Sequence, residues 1–228
     1  MVRGLETRLG VKVYVGQTRS RELVKTLTGL GWGEMTQPKE VPPRRQPFAL
    51  DNYAFACFKN NKPWDAEAFK RGVGECQKRK QTPDFVVSPD IVGGGWASLE
   101  RSLEWQSWLK GFAPVYLAVQ DGMTLDGVAP HLGLFDGIFV GGTVPWKLTS
   151  GYWWAALAHG RGLPCHVGRI SGRYNTRLVK SWPADSIDSC VPLWSTENRQ
   201  AVVEGLADPP MDFDPPEVEQ FMTGWEAL

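Results

Sequence analysis

Two aspartates far apart in the chain, Asp51 and Asp188, each stand where a short apolar run gives way to a polar loop. Phe48-Ala49-Leu50 leads into Asp51, and Ser186-Ile187 leads into Asp188. Two carboxylates brought to one rim support glycosidic chemistry. One attacks the anomeric carbon to form a covalent sugar–enzyme intermediate, and the other moves protons on the leaving and incoming groups. Taken singly, each aspartate equally suits a cap or a turn. Phe85-Val86-Val87 runs on to Asp90, Val115-Tyr116-Leu117-Ala118-Val119 closes on Gln120, and Gly137-Ile138-Phe139-Val140 closes on Gly141-Gly142. Gln120 offers an acceptor and two donors, Asp90 offers acceptors, and the glycines leave backbone groups open to a planar ligand. Phe55, four residues past Asp51, supplies an aromatic face. Together these fit a slot for a purine-like heterocycle. The alternative is a plain turn at Gln120-Asp121-Gly122 and a core position for Phe55.

The elements that must position these residues repeat one grammar. Short apolar runs close on polar or glycine tips, the last two being Cys165-His166-Val167 into Gly168-Arg169 and Ser186-Ile187 into Asp188. Between them lie amphipathic segments with helical spacing. Leu23, Val24, Leu27 and Leu30 follow a Ser20 cap, and Ala68, Phe69 and Val73 follow an Asp65 cap. Leu99, Leu103, Trp105 and Leu109 follow Gly93-Gly94-Gly95, with Ser98 as the expected cap. That glycine loop suits either a phosphate held on backbone N–H groups or a flexible connector. Further helices are expected over Tyr152 to His159, through Leu178 and Val179, from Asn198 through Leu206, and over Val218 to Leu228.

Alternating strand and helix at this pace implies a parallel sheet with right-handed crossovers. The expected fold is α/β, a (β/α)8 barrel of the TIM type with a short or irregular last unit, and an open doubly wound sheet is the alternative. A closed barrel collects its strand tips on one face, where the active site of that architecture lies. Seven strands are legible and no eighth stands out; a closed barrel needs another, and a short stretch near Val191-Pro192-Leu193 is one candidate. No dinucleotide glycine fingerprint follows the first strand, which argues against that use.

The chain of 228 residues suits one barrel domain over 1–206, followed by an acidic tail over 207–228. Every Lys and Arg lies before position 200, whereas Glu204, Asp208, Asp212, Asp214, Glu217, Glu219 and Glu226 follow it. A basic body fits a polyanion partner, and an uneven solvated surface fits equally. Among the basic residues near strand tips or the loops after them, Lys147, Arg161, Arg169, Arg173 and Arg177 are candidates for phosphate contact. The 4 Cys show no paired spacing, so neither a zinc site nor a disulfide framework is indicated, and Cys165 and Cys190 read as core thiols. No apolar run approaches membrane length and no secretory leader is legible, so a cytoplasmic protein is expected.

The tips resemble, in order, those of one family. Ala49-Leu50-Asp51-Asn52-Tyr53-Ala54-Phe55 resembles the Asp-Ser-Gly-Gly-(Phe/Tyr) motif of the tRNA-guanine transglycosylases. Val119-Gln120-Asp121-Gly122 is similar to their Val-Gln-Gly-Gly, and Val140-Gly141-Gly142-Thr143 to their Gly-Gly-Leu segment. Val167-Gly168 resembles their Met-Gly, and Ile187-Asp188-Ser189-Cys190 their Phe-Asp-Cys-Val. The resemblance spans residues 11 to 195.

It implies a barrel enzyme that exchanges guanine for a 7-deazaguanine within a nucleic acid, with no metal or redox cofactor in the reaction. Asp188 matches the nucleophile and Asp51 the acid/base residue. Asp90, Gln120, Gly141 and Gly142 match the groups around the base edge. Phe55 and Val167 match the pair that sandwich the ring, with Gly168 beside them. Two departures stand out. Asn52-Tyr53-Ala54 replaces Ser-Gly-Gly, and Cys190 is the only Cys or His after Asp188, where the tRNA enzymes carry a zinc subdomain. A compact, zinc-less chain resembles the phage and bacterial enzymes that place 7-deazaguanines such as preQ0 in DNA. The expected partners are therefore DNA and a free 7-deazaguanine base. Exchange in tRNA, a glycosidase in which water resolves the intermediate, and a non-catalytic nucleobase-binding barrel are the alternatives.

Overall fold

The computed structural model describes residues 10–217. Eight strands form a closed, all-parallel barrel in sequence order: β1 (Lys12–Gly16), β2 (Gly33–Thr36), β3 (Phe48–Leu50), β4 (Val86–Val87), β5 (Val115–Val119), β6 (Gly137–Val140), β7 (Cys165–Val167) and β8 (Ser186–Ser189). The last strand pairs with the first through Val13 opposite Ile187 and Tyr14 opposite Asp188. The helices are α1 (Arg21–Gly29), α2 (Ala54–Lys59), α3 (Ala66–Lys78), α4 (Trp96–Leu109), α5 (Leu125–Val128), α6 (Val144–Gly160), α7 (Arg173–Lys180) and α8 (Thr196–Ala207). The fold is thus the (β/α)8 barrel expected from the alternating pattern.

Side chains alternate across each strand, so closure sorts them into two cores. Tyr14, Met35, Phe85, Val87, Tyr116 and Ala118 pack together inside the barrel. Their neighbours Val13, Val15, Val86, Leu117, Ile138 and Val167 pack outward against the helices. The inner layer is aromatic: Phe85 stacks on Tyr116 with centroids 4.2 Å apart, and Phe139 stacks on His166 at 5.0 Å.

Helix starts follow side-chain caps. Ser20 accepts from the Leu23 N–H, Asp65 from Ala68, Thr143 from Trp146 and Ser195 from Asn198. Ser98 does not cap α4. Gly95 occupies that position, and the Ser98 hydroxyl accepts instead from the Ile91 N–H at 3.2 Å. The expected helix over Tyr152 to His159 begins earlier, at Val144, because Thr143 caps it and Pro145 sits in its first turn, where proline is favoured. The segment around Pro130 splits into α5 and a 3-10 turn over Ala129–Leu134.

The eighth strand is not at Val191-Pro192-Leu193, which forms a 3-10 turn. It is β2, Gly33-Glu34-Met35-Thr36, whose composition hides it. Gly33 is there because a Cβ would lie 2.8 Å from the Tyr14 ring, and Glu34 is a fully buried carboxylate facing Arg45 at 3.5 Å. Glu34 also accepts from Gln17 at 3.0 Å, Thr36 at 2.9 Å and the Arg44 N–H at 3.2 Å. Arg45 donates to the carbonyls of Val15 at 2.7 Å and Gly16 at 3.1 Å, tying the loop before β3 to the end of β1.

The described part of the acidic tail folds back. Phe213 packs on Tyr152 and Trp182, and Trp153 Nε1 donates to the Pro216 carbonyl at 2.8 Å. The helix expected over Val218 to Leu228 lies outside the described residues.

Removing one partner of a buried ion pair strands the other charge, at a cost of about 3–5 kcal/mol. Arg45→Met is therefore expected to lose about that much stability in urea unfolding. A loss below about 1 kcal/mol would show that Glu34 is held by its other donors alone.

Candidate active site

At the carboxyl ends of the strands lies a cavity of about 440 Å³, within the size range of small-molecule sites. Asp51, Asp90, Gln120, Gly141, Gly142 and Asp188 all line it, as do Phe55, Gly168 and Arg169. The barrel does this because each residue follows the last inward or tip position of its strand, and eight tips converge on one rim.

Asp188 extends β8 inward. Its Oδ1 accepts from His166 Nε2 at 2.9 Å and from the Arg169 N–H at 3.3 Å. Gly168 is required beside it, since a Cβ there would meet the Phe139 ring at 2.7 Å and Asp188 Oδ1 at 3.3 Å. Asp51 follows β3 and accepts from the Tyr53 N–H, holding Tyr53 at φ 71. A non-glycine residue in that left-handed region is uncommon and strained. The Asp51 contact, the Asn52 Oδ1 contact to the Ala54 N–H at 2.8 Å, and Lys39 Nζ 4.6 Å over the Tyr53 ring hold it there.

The polar edge is a connected network. Asp90 accepts from Asn52 Nδ2 at 2.8 Å and from Gln120 Nε2. Gln120 Oε1 accepts from the N–H of Gly142 at 3.0 Å and of Gly93 at 3.3 Å. The Gly94 N–H bonds the Ile91 carbonyl at 2.8 Å, so the N–H groups of Gly93 and Gly94 are both committed within the protein. Burial pushes the Asp90 carboxyl up to about 6, against the pull of Asn52 and Gln120. Burial pushes Asp51 up to about 7, helped by the charges of Asp188, Asp90 and Glu40. An acid/base group poised near neutrality is what proton transfer at physiological pH requires.

Five expected site residues do not take the places expected of them. Val167 is fully buried in the outer core and does not reach the cavity, because alternation turns it toward the helices. Phe139, the inward residue of the neighbouring strand, lines the cavity instead. Lys147 is fully buried, with Nζ bonded to the carbonyls of Val140 and Gly168. It lines the cavity from behind the strand tips, where burial lowers it to about 7, and so makes no surface phosphate contact. Arg173 pairs with Asp208 at 2.7 Å and Glu204 at 3.3 Å, and Arg177 Nε donates to the Pro209 carbonyl at 2.7 Å. Both are spent on fastening the tail to α7. Arg161 follows α6 at the far end of the barrel and bonds the Ala129 carbonyl at 3.0 Å.

Arg169 does stand at the mouth, its guanidinium 4.2 Å from the Phe55 ring centroid. Cys190 is not a core thiol. The residue is exposed at the mouth while its sulfur is turned in against Gly16, where burial and the Asp188 and Asp51 charges push the thiol up to about 11.

Sequence reasoning missed Asn52, Phe139 and His166. Alternation from the outward Ile138 and Cys165 was the signal available for the last two. Trp194 is 72% exposed and lines the rim. No model of a known protein family matches the sequence, and no curated protein matches it.

Asp51 binds its proton more tightly in the folded chain than in the unfolded one. The stability this confers is full below the unfolded value near 4 and is lost as pH rises through about 7. Asp51→Asn keeps an acceptor for the Tyr53 N–H and removes the loss. The variant should melt at least about 4 °C above wild type at pH 8, with a smaller gap at pH 5.5, by circular dichroism. An equal gap at both pH values would contradict the raised proton affinity.

Proposed function

We propose that this protein is a DNA-guanine transglycosylase that replaces guanine with a free 7-deazaguanine of the preQ0 type. The observation that carries this reading is the convergence of Asp51 and Asp188 on one cavity with the Asp90–Gln120–Gly142 edge. The donor–acceptor edge beside an aromatic wall of Phe55 and Phe139 supports a planar heterocycle as the bound group. A purine has both an edge to read and faces to stack.

In the proposed reaction the target deoxyguanosine leaves the helix stack, since a paired base cannot reach an inward carboxylate. Asp188 Oδ2 bonds to C1′ as the C1′–N9 bond breaks, and the electron pair passes to N9, which takes a proton from Asp51. Guanine departs and the 7-deazaguanine enters the same slot. Asp51 takes the proton from the incoming ring nitrogen, which bonds to C1′ while the Oδ2–C1′ bond breaks and returns its pair to Asp188. Two displacements on one carbon retain the β configuration. The resemblance to compact, zinc-less enzymes favours DNA over tRNA.

The phosphate track in this reading runs along exposed cations at the mouth. Lys59 lines the cavity itself. Arg19 and Arg44 line a groove that shares Gln17 and Glu40 with it, and Lys62 lines a second groove that shares Ala56 and Asn60. No carboxylate pairs with these four among the described residues, in contrast to Arg173.

Incubation with duplex or single-stranded DNA and labelled preQ0 is expected to incorporate label, and Asp188→Ala to reduce incorporation at least about 1,000-fold. Incorporation into tRNA but not DNA would move the substrate. Equal incorporation by wild type and variant would remove Asp188 as nucleophile. A second expectation concerns binding. Replacing Arg19, Arg44 and Lys59 together by alanine should weaken DNA binding about 10-fold or more and lower the salt slope by about 2–3. Arg173→Ala should leave both unchanged. The reverse result would put the track on α7.

A further inference from the structure

Behind Asp188, inside the barrel, lies a buried column that the proposed reaction does not by itself require. His166 on β7 is fully buried, with Nε2 2.9 Å from Asp188 Oδ1 and Nδ1 2.8 Å from the Ser186 hydroxyl. Its ring is clamped between Phe139, stacked at 5.0 Å and 15°, and Phe85 at 5.0 Å, with Tyr14 at 5.9 Å. The ring therefore has one orientation. The remaining charged group acting on it is Lys147, and burial together with that charge opposes protonation of the imidazole.

The partners fix the tautomer. A carboxylate only accepts, so the nitrogen facing Asp188 carries the hydrogen. The Ser186 hydroxyl then donates to the bare Nδ1. Asp188 Oδ1 is thereby committed twice, to His166 and to the Arg169 N–H, whereas Oδ2 accepts no hydrogen bond from any described residue. A neutral imidazole does this without placing a cation beside the nucleophile, which would blunt it.

We propose that His166, oriented by Ser186, is the positioning residue of Asp188: it pins Oδ1 and leaves Oδ2 as the one oxygen aimed at the sugar carbon. This rests on the reading of Asp188 as nucleophile. In the covalent intermediate Oδ1 becomes the ester carbonyl oxygen, and its two donors stay in place. When the incoming base displaces Asp188, negative charge returns to the carboxylate and the same donors receive it, so the contact serves both half-reactions.

The chain has 3 His, so side-chain nitrogen resonances can be assigned by substitution. In the wild-type protein at pH 7, 15N correlation spectra are expected to show His166 as the Nε2–H tautomer, with Ser186→Ala weakening that preference. Base-exchange kinetics supply the second arm. His166→Leu should lower kcat about 100-fold while KM for the free base stays within about 2-fold. His166→Gln, whose side-chain amide can donate to Oδ1, should recover to within about 10-fold of wild type, and Ser186→Ala should lose about 3–10-fold in kcat alone. An Nδ1–H tautomer, an imidazolium at pH 7, or a His166→Leu enzyme with wild-type kcat would overturn the inference while leaving the transglycosylase reading intact. Absence of exchange by the wild type would overturn that reading, and with it the purpose assigned to the column.

Discussion

Three carboxylates, Asp51, Asp90 and Asp188, face one cavity, and they cannot all be charged there without mutual repulsion and loss of hydration. The surroundings divide the charge among them. Asp188 receives a neutral imidazole and a backbone N–H on one oxygen. Asp90 receives two side-chain amides. Asp51 receives a single backbone N–H and holds its proton up to about pH 7. Environment thus raises the proton affinity of Asp51 and Asp90 by burial, whereas Asp188 is held by donors on one oxygen, although the residue type is the same. Pairs of titratable groups pushed apart in this way are how acid and base roles are assigned in enzymes.

The barrel creates that crowding and also contains it. Closure places the strand tips on one rim, and alternation sends Ser186, His166 and Asp188 inward as one column while Val167 and Ile187 go outward into the helical layer. The aromatic interior beneath the site, built on Tyr14, Phe85, Tyr116 and Phe139, keeps water from that column and fixes the His166 ring. The buried Glu34–Arg45 pair fastens the loop between β2 and β3 to the end of β1, beside the cavity at Gly16. The strained Tyr53 backbone and the crowded acids are local instabilities of the kind a functional site retains and the rest of the fold outweighs.

Much of this was legible in the chain because strand tips announce themselves. Apolar runs ending in Asp51, Gln120, Gly141 and Asp188 mark the polar residues that the cavity gathers. What escaped notice did so for physical reasons. The strand Gly33–Thr36 carries a glycine and a glutamate, and both make sense only with Tyr14 and Arg45, which are distant in sequence. His166 looked like part of an apolar strand, since a neutral buried imidazole leaves no charge pattern. Val167 was matched by motif position, whereas period-two alternation decides which residue faces the cavity. Arg173 and Arg177 read as free cations because their partners, Asp208 and the Pro209 carbonyl, come from the far end of the chain.

The proposed exchange passes through a bond between one oxygen of Asp188 and the sugar carbon, and peptide mass mapping reads that bond directly. Wild-type protein would be quenched in acid during turnover on DNA, digested with nuclease and protease, and its peptides weighed. A deoxyribose-containing adduct is expected on the peptide carrying Asp188, absent when Asp188 is replaced by alanine. An adduct on the Asp51 peptide, or base exchange that proceeds with no protein-bound sugar, would contradict it.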